Sequence, residues 1–197
     1  QVNLGVIKKD MVNLLVHGHN PVVSEMIASA AEDAEMLEKA KAAGASGINV
    51  AGLCCTGNEI LARRGIPMAG NHLMTELAVV TGAVEAIVVD YQCIMPSLVP
   101  AAGCYHTKFI TTANKAKFTG AIHFDVQPET AFAQAKEIVT LAIEGYSKRD
   151  PNRVEIPCEP VDIMTGFSNE SILTALGGSL DPLLDAVKAG KIRGFVA

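Results

Sequence analysis

Cysteine and histidine residues follow three apolar runs of the chain, each at the point where a strand is predicted to end. His17-Gly18-His19 follows the first run, Cys54-Cys55 the second and Cys93 the third. Thiolate and imidazole together are donors that suit zinc, nickel and iron–sulfur clusters. Because parallel strands end at the same edge of a sheet, the three motifs are predicted to converge on one metal site.

Ordinary packing is the alternative for each of these residues, since free cysteine packs like a small hydrophobic residue. The sequence contains no C-x-x-C pattern, which argues against a zinc ribbon and a thioredoxin-type site. Two adjacent thiolates do not easily reach one metal, so one of Cys54 and Cys55 is expected to pack beside the site. His72 and His123 are expected to be ordinary polar or packing residues.

The elements that must position these motifs are short β-branched strands that alternate with alanine-rich helices. Strands are predicted over 12–16, 48–50, 66–68, 86–90 and 108–112, and helices over 21–43, 58–64, 75–80 and 128–146. This alternation is typical of right-handed βαβ units and of a parallel sheet covered on both faces. The predicted fold is a doubly wound α/β domain, in which ligands bind beyond the carboxyl ends of the strands.

The chain changes character after Tyr146. Residues 1–147 are predicted to form the α/β core. Residues 148–197 are predicted to form a proline-rich loop, two helices over 168–176 and 181–189, and a final strand leading toward a further domain. Gln1 is not an initiator methionine, and we expect the chain to be a piece of a longer protein.

Composition argues against two classes of protein. Apolar residues make up 49% of the chain, but no apolar run approaches the roughly 18–20 residues that span a bilayer. A formal net charge of -5 argues against a nucleic-acid binder, which would carry a basic face. No signal peptide is visible, so the five cysteines are predicted to be reduced thiols and the expected location is cytoplasmic.

Long and unusual strings around the three motifs resemble the anaerobic nickel–iron–sulfur carbon monoxide dehydrogenases, which also occur as subunits of acetyl-CoA synthase complexes. These strings are HGHNPVVSEMI, GLCCTGNEILARRGIP, TGAVEAIVVDYQCIMPSL, CYHTKFITT and GGSLDPLLDAVKAGKIRG. The resemblance extends over nearly the whole chain. It implies a Rossmann-like domain and a nickel–iron–sulfur cluster, the C-cluster, at which CO and water become CO2, two protons and two electrons.

The same resemblance implies the cluster ligands. Cys55 and Cys93 match family cysteines that bind cluster irons, and a histidine of the HGHNP string binds the iron outside the cubane. We favour His19 over His17 as that ligand, and Cys54 is the alternative to Cys55. The resemblance assigns no catalytic residue within this chain, because the catalytic histidines, the catalytic lysine and further cysteine ligands lie elsewhere in the family's sequences.

The resemblance also implies partners. It predicts further 4Fe–4S clusters in a preceding helical domain, a ferredoxin-like electron acceptor, a homodimer and, in some members, an acetyl-CoA synthase subunit. The chain alone is expected to be inactive. Two other interpretations are a hybrid-cluster-type reductase domain, against which the CCTGNE and YQCIMPSL strings argue, and a non-catalytic α/β scaffold in which cysteine and histidine only pack.

Overall fold

A computed structural model of the chain describes residues 1–93, 95–164 and 166–196. The chain forms two compact units, the first over residues 1–164 and the second from residue 165 onward. Ile94 of the third motif and Ala197 of the predicted final strand lie outside the described residues. Among the described residues, no helix combines the length and the apolar character needed to cross a membrane.

The first unit is built on a parallel sheet whose strand order is β3-β2-β1-β4-β5-β6. The strands are β1 (Val12–His17), β2 (Ile48–Leu53), β3 (Met68–Gly70), β4 (Ala86–Val89), β5 (Lys108–Thr111) and β6 (Ile122–His123). Each pair of neighbouring strands in this sheet is parallel. The order reverses between β1 and β4, which confirms the predicted doubly wound α/β fold.

Helices connect successive strands and cover both faces of the sheet. In the first unit they are α1 (Pro21–Ala31), α2 (Ala34–Ala42), α3 (Cys54–Arg64), α4 (Thr75–Val80), α5 (Val99–Gly103) and α6 (Ala131–Tyr146). The second unit contains α7 (Asn169–Ala175) and α8 (Asp181–Lys188). A short 3-10 helix, His72–Met74, leads from β3 into α4.

Strand β1 is the centre of the sheet, and all six of its residues are buried. Its side chains alternate between the two faces because a strand repeats every two residues. Leu14 packs in the core cluster that contains α1 and α6, whereas Leu15 packs in the opposite cluster with Val79 of α4. By the same alternation, His17 lies on the face that α4 covers.

Two predicted helices differ from the observed ones. The helix predicted over 21–43 is two helices, because Asp33 has an extended backbone and its side chain accepts a hydrogen bond from the Glu35 N–H at 3.0 Å, which starts α2. The helix predicted over 58–64 begins earlier, at Cys54, directly after β2. The cysteine pair therefore lies on the first turn of a helix and not in a loop.

The end of the chain also differs from the prediction. Residues 192–196 form no strand in the part of the chain that the structure describes. The N–H groups of Lys191 and Ile192 both donate to the Ala186 carbonyl and so close the end of α8. Residues 192–196 pair with no strand among the described residues. The first unit extends past residue 147 because the Glu155 N–H donates to the Thr81 carbonyl at 2.9 Å. The domain boundary at 147/148 stays a prediction.

Candidate metal centre

Asp90 ties the two strands at the reversal point together beyond their carboxyl ends. Its carboxylate accepts hydrogen bonds from the His19 N–H at 2.7 and 2.9 Å, and from the N–H groups of Asn20 and Tyr91. Gly18 has a φ of +129°, and a Cβ there would overlap Asp90 Oδ1. Burial raises the pKa of the Asp90 carboxyl, while the three N–H donors act in the opposite direction. Neither the role of Asp90 nor the need for glycine at position 18 was predicted from the sequence.

Helix α3 presents Cys54 and Cys55 at the same edge of the sheet. The helix lies very close to β2, since a Cβ on Gly52 would overlap the backbone of Gly57, and one on Gly57 would overlap Gly52. The Thr56 N–H donates to a backbone carbonyl of the loop after β1 at 2.8 Å. Cys54 has a left-handed backbone with a φ of +60°. The glycine contact and the hydrogen bond fix the first turn of α3 beside the loop that carries His19.

Three thiols and one imidazole form a continuous group at this edge. Cys93 Sγ lies 3.6 Å from Cys54 Sγ and 4.0 Å from His19 Nδ1, and Cys54 Sγ lies 3.9 Å from Cys55 Sγ. Burial, followed by the neighbouring Cys54 thiol, raises the pKa of Cys93 to about 12. The pKa of Cys55 is also raised, chiefly by its hydrogen bond with Cys54. Thiols held this close repel one another as thiolates, whereas a bound cation favours the deprotonated form.

His17 and His72 form a second pair of donors beside Cys93. Their ring centroids lie 5.5 Å apart, and the planes are tilted by 50°. Both ring nitrogens of His17 and Nδ1 of His72 are buried, and none has a hydrogen-bond partner among the described residues. Burial, followed by the nearby His72 and His19, lowers the pKa of His17 to about 4, so its ring is neutral at neutral pH. His72 was expected to be an ordinary polar or packing residue, but it lies in the candidate site.

The donor set fits a metal centre. One ligand atom each of His17, His72 and Cys93 lie within 4.8 Å of one another. Buried polar atoms in folded proteins are nearly always hydrogen-bonded, so the unpartnered histidine nitrogens require an explanation. A transition metal supplies one, because imidazole and thiolate are its preferred protein donors. All five predicted ligand candidates therefore lie at one edge of one sheet: His17, His19, Cys54, Cys55 and Cys93.

Comparison with known proteins agrees with the fold and with the family that the sequence resembles. The sequence profile of the Prismane/CO dehydrogenase family matches residues 1–197. Carbon monoxide dehydrogenase 1 of Methanosarcina mazei is 57% identical over 196 residues, which is 100% of this chain and 31% of that protein. The beta subunit of carbon monoxide dehydrogenase/acetyl-CoA synthase from Moorella thermoacetica is 46% identical over 98% of this chain and 30% of that subunit.

A solved structure agrees as well. The as-isolated, nickel-free carbon monoxide dehydrogenase of Thermococcus sp. AM4 superimposes with a TM-score of 0.86 at 55% identity, covering 98% of this chain and 30% of that one. This chain thus spans about a third of the length of the relatives that it matches. The structural similarity covers 98% of this chain and therefore includes the sheet and the edge that carries the candidate site.

Proposed function

This chain belongs to the Prismane/CO dehydrogenase family, and we propose that it is the part of a carbon monoxide dehydrogenase that supplies some of the ligands to a nickel–iron–sulfur C-cluster. The proposed reaction of the whole protein is the oxidation of CO with water to CO2, two protons and two electrons. One observation carries the proposal. Thiols and imidazoles from the ends of four neighbouring strands meet at the reversal point of the sheet, where such folds bind their ligands.

The proposed cluster ligands in this chain are His19, Cys55 and Cys93. The 4.0 Å between Cys93 Sγ and His19 Nδ1 supports these two as members of one ligand set. Cys55 is exposed and lies beside Cys54, so its thiol is free to turn toward a partner that approaches from outside the sheet edge. His17 and Cys54 remain the alternatives at their respective motifs.

In the proposed mechanism, the residues of this chain hold the ligand side chains in position before the cluster binds. When bound, the cluster supplies the metal site for CO and the capacity to accept two electrons. Asp90 holds the backbone of His19, and the hydrogen bond from Thr56 holds the first turn of α3 against the same loop. The His19 ring lies against Tyr91 with 6.3 Å between centroids, which limits the directions in which the imidazole can point. A ligand set fixed in this way loses little conformational entropy when it binds.

The remaining parts of the proposal concern the whole protein. We propose that further 4Fe–4S clusters carry electrons to a ferredoxin-like acceptor, and that the enzyme is a cytoplasmic homodimer, in some cases with an acetyl-CoA synthase subunit. The relative from Moorella thermoacetica, a carbon monoxide dehydrogenase/acetyl-CoA synthase subunit, supports the last of these associations. We expect the 197-residue chain alone to be inactive, because it carries only part of the ligand set.

Nickel content and CO oxidation in the full-length protein test the proposal. With Cys93→Ser or Cys55→Ser, we expect nickel content and CO-dependent dye reduction to fall by more than about 100-fold. Loss of a residue that merely supports a metal ligand already lowers metal affinity or activity by about 10–100-fold. Cys104→Ser is the matched control, because Cys104 is an exposed free thiol outside the strand-end motifs.

The same assay separates the alternatives. Loss of activity in His19→Ala but not in His17→Ala supports the assignment of His19. Full nickel content and activity in Cys93→Ser would overturn the proposal and favour the scaffold interpretation. A protein that contains iron but no nickel, and that reduces another substrate while leaving CO unchanged, would favour the hybrid-cluster-type reductase.

A further inference from the structure

Two buried histidines at the metal-ligating edge have no assigned role in the proposed ligand set. His17 is 2% exposed, and neither of its ring nitrogens has a partner in the part of the chain that the structure describes. Nδ1 of His72 is also buried and has no hydrogen-bond partner among the described residues. Leaving a buried donor or acceptor unpaired destabilises a protein by about 1–3 kcal/mol per group. Both residues lie beside Cys93, with one ligand atom of each residue within 4.8 Å of the others.

The backbone around each residue holds this arrangement in place. His17 ends β1 on the face that α4 covers. His72 begins the 3-10 helix after β3, where its carbonyl accepts the Thr75 hydroxyl at 2.7 Å and the Asn71 side chain accepts the Leu73 N–H at 3.0 Å. Cys93 has a left-handed backbone with a φ of +52°.

A hydrogen bond between the two imidazoles does not explain the arrangement. Both ring nitrogens of His17 are without a partner, and the two ring planes are tilted by 50°. Two imidazole nitrogens and a thiolate are instead the donors of a borderline-soft divalent ion. Around such an ion, bonds of about 2.0–2.3 Å in a tetrahedral arrangement place ligand atoms about 3.3–3.8 Å apart. The ligand atoms of His17, His72 and Cys93 lie within 4.8 Å of one another, so binding an ion requires a separation of that length to shorten by about 1 Å or more.

We propose that His17, His72 and Cys93 form a site for a single divalent transition-metal ion such as Zn²⁺, Co²⁺ or Ni²⁺, with a fourth position open. The site shares only Cys93 with the proposed cluster ligands His19, Cys55 and Cys93. A lone ion and the cluster therefore compete for one thiolate, and occupancy of the ion site blocks cluster assembly. This competition rests on the proposed function, whereas the ion site itself does not.

Cobalt binding tests the site, because Co²⁺ bound to a thiolate gives a charge-transfer absorption band. We expect the reduced, anaerobic 197-residue chain to bind one Co²⁺ with this band. His72→Ala should bind at least about 10–100-fold more weakly, since even loss of a supporting residue has that effect. The matched control His123→Ala, which removes a histidine on the edge strand β6, should bind as the unchanged chain does. Equal affinity in His72→Ala and the unchanged chain overturns the proposal.

The X-ray absorption spectrum of bound Zn²⁺ provides a readout that needs no variant. With one Zn²⁺ per chain, it should show one sulfur ligand at about 2.3 Å and two imidazole nitrogens at about 2.0–2.1 Å. A Zn²⁺ ion with two or more sulfur ligands overturns the proposal, because only Cys93 supplies a thiol to this site. This readout holds even if His72→Ala fails to fold.

Iron–sulfur reconstitution of the full-length protein separates this inference from the proposed function. In the full-length protein, His72→Ala should keep the iron uptake of the unchanged protein, and His19→Ala should lower it. The 197-residue chain with His19→Ala should keep its Co²⁺ binding. Lost Co²⁺ binding in His72→Ala with no effect of His19→Ala on iron uptake supports the ion site and contradicts the proposed cluster ligand. The reverse pattern contradicts the ion site alone.

Discussion

Two buried side chains at opposite ends of the central strands, Glu85 and His17, differ in whether the fold satisfies their polar atoms. At the amino end of β4, the carboxylate of Glu85 is fully buried and accepts hydrogen bonds from the Asn13 N–H at 2.6 Å and from Arg149 Nε and Nη2 at 2.9 and 2.6 Å. His106 Nε2 lies 2.8 Å from the same carboxylate. At the carboxyl end of β1, both ring nitrogens of His17 are buried with no partner among the described residues.

This difference separates a structural polar cluster from a ligand-binding one. A buried charge is tolerated when its partners are supplied by the fold, as those of Glu85 are. The donors near His17 are all potential metal ligands, and no group in the part of the chain that the structure describes satisfies the ring nitrogens of His17. A network that is satisfied within the chain stabilises the fold, and one that is unsatisfied within the chain points to a bound group.

Breaking the satisfied network is expected to have the largest effect on stability. Glu85→Ala leaves the Asn13 N–H without its acceptor. It also removes the only carboxylate partner that the buried Arg149 guanidinium has among the described residues, and the guanidinium then donates to backbone carbonyls alone. We expect the free energy of unfolding to fall by about 3–5 kcal/mol, the usual result of removing one partner of a buried pair. Urea denaturation of the chain measures this change.

The control for this variant is Glu38→Ala, on the exposed face of α2, which should unfold as the unchanged chain does. Metal binding by the folded Glu85→Ala chain should be unaffected, because Glu85 precedes β4 and the candidate site follows it. A loss of stability below about 1 kcal/mol would contradict the comparison between the two ends.

Most of the site could be predicted because ligands of a doubly wound sheet bind beyond the carboxyl ends of its strands. Residue types and apolar runs were enough to bring His17, His19, Cys54, Cys55 and Cys93 to one edge, since a parallel sheet fixes where strands end. His72 was missed because β3 was predicted over 66–68, whereas it is Met68–Gly70, which puts His72 just beyond its end. The same rule, applied with the correct strand, would have included it.

Other features depend on contacts that no local pattern records. The need for glycine at position 18 is explained by the Asp90 carboxylate, which leaves no room for a Cβ there. Asp90 follows β4 and lies 71 residues from His19 in the sequence. The break at Asp33 was hidden because the alanine-rich pattern continues across it. The choice between His17 and His19 stays a prediction, since neighbouring histidines carry the same chemistry.

A change at the close contact between α3 and β2 is expected to have an effect of intermediate size on stability. Gly52→Ala places a methyl group against the backbone of Gly57, so α3 must move away and carry Cys54 and Cys55 with it. We expect a loss of about 1–3 kcal/mol in unfolding free energy, as for other overpacked sites. Iron uptake on anaerobic reconstitution of the full-length protein should also fall.

Gly103→Ala is the matched control for this variant, because no atom lies within 4 Å of its added Cβ. Its stability should be unchanged or about 0.4–1 kcal/mol higher, since alanine restricts the unfolded chain. Equal iron uptake by Gly52→Ala and Gly103→Ala would show that the position of α3 does not matter for the site.

The smallest effect on stability is expected at an ion-pair cluster on the surface. Its charged groups are paired, as those of Glu85 are, but they remain partly exposed to solvent. Lys136 Nζ on α6 lies 2.6 Å from Glu35 and 3.1 Å from Asp33. Lys136, and after it Lys39, lowers the pKa of Glu35 from its ordinary 4.5 to about 2. The stabilisation from Glu35 is therefore present above pH 4.5 and is lost as the pH falls toward 2.

Lys136→Gln should therefore flatten the pH dependence of unfolding in that acidic range and change little at neutral pH in high salt, because exposed pairs are screened. Lys41→Gln, which removes the more exposed partner of Glu38 from the same kind of ion pair, is the control. Thermal unfolding across this pH range measures both variants. A large, salt-independent fall in the stability of Lys136→Gln would mean that hydrogen bonding without burial is enough to make the Lys136 and Glu85 clusters stabilising. The contrast between the two ends of the sheet would then need another explanation.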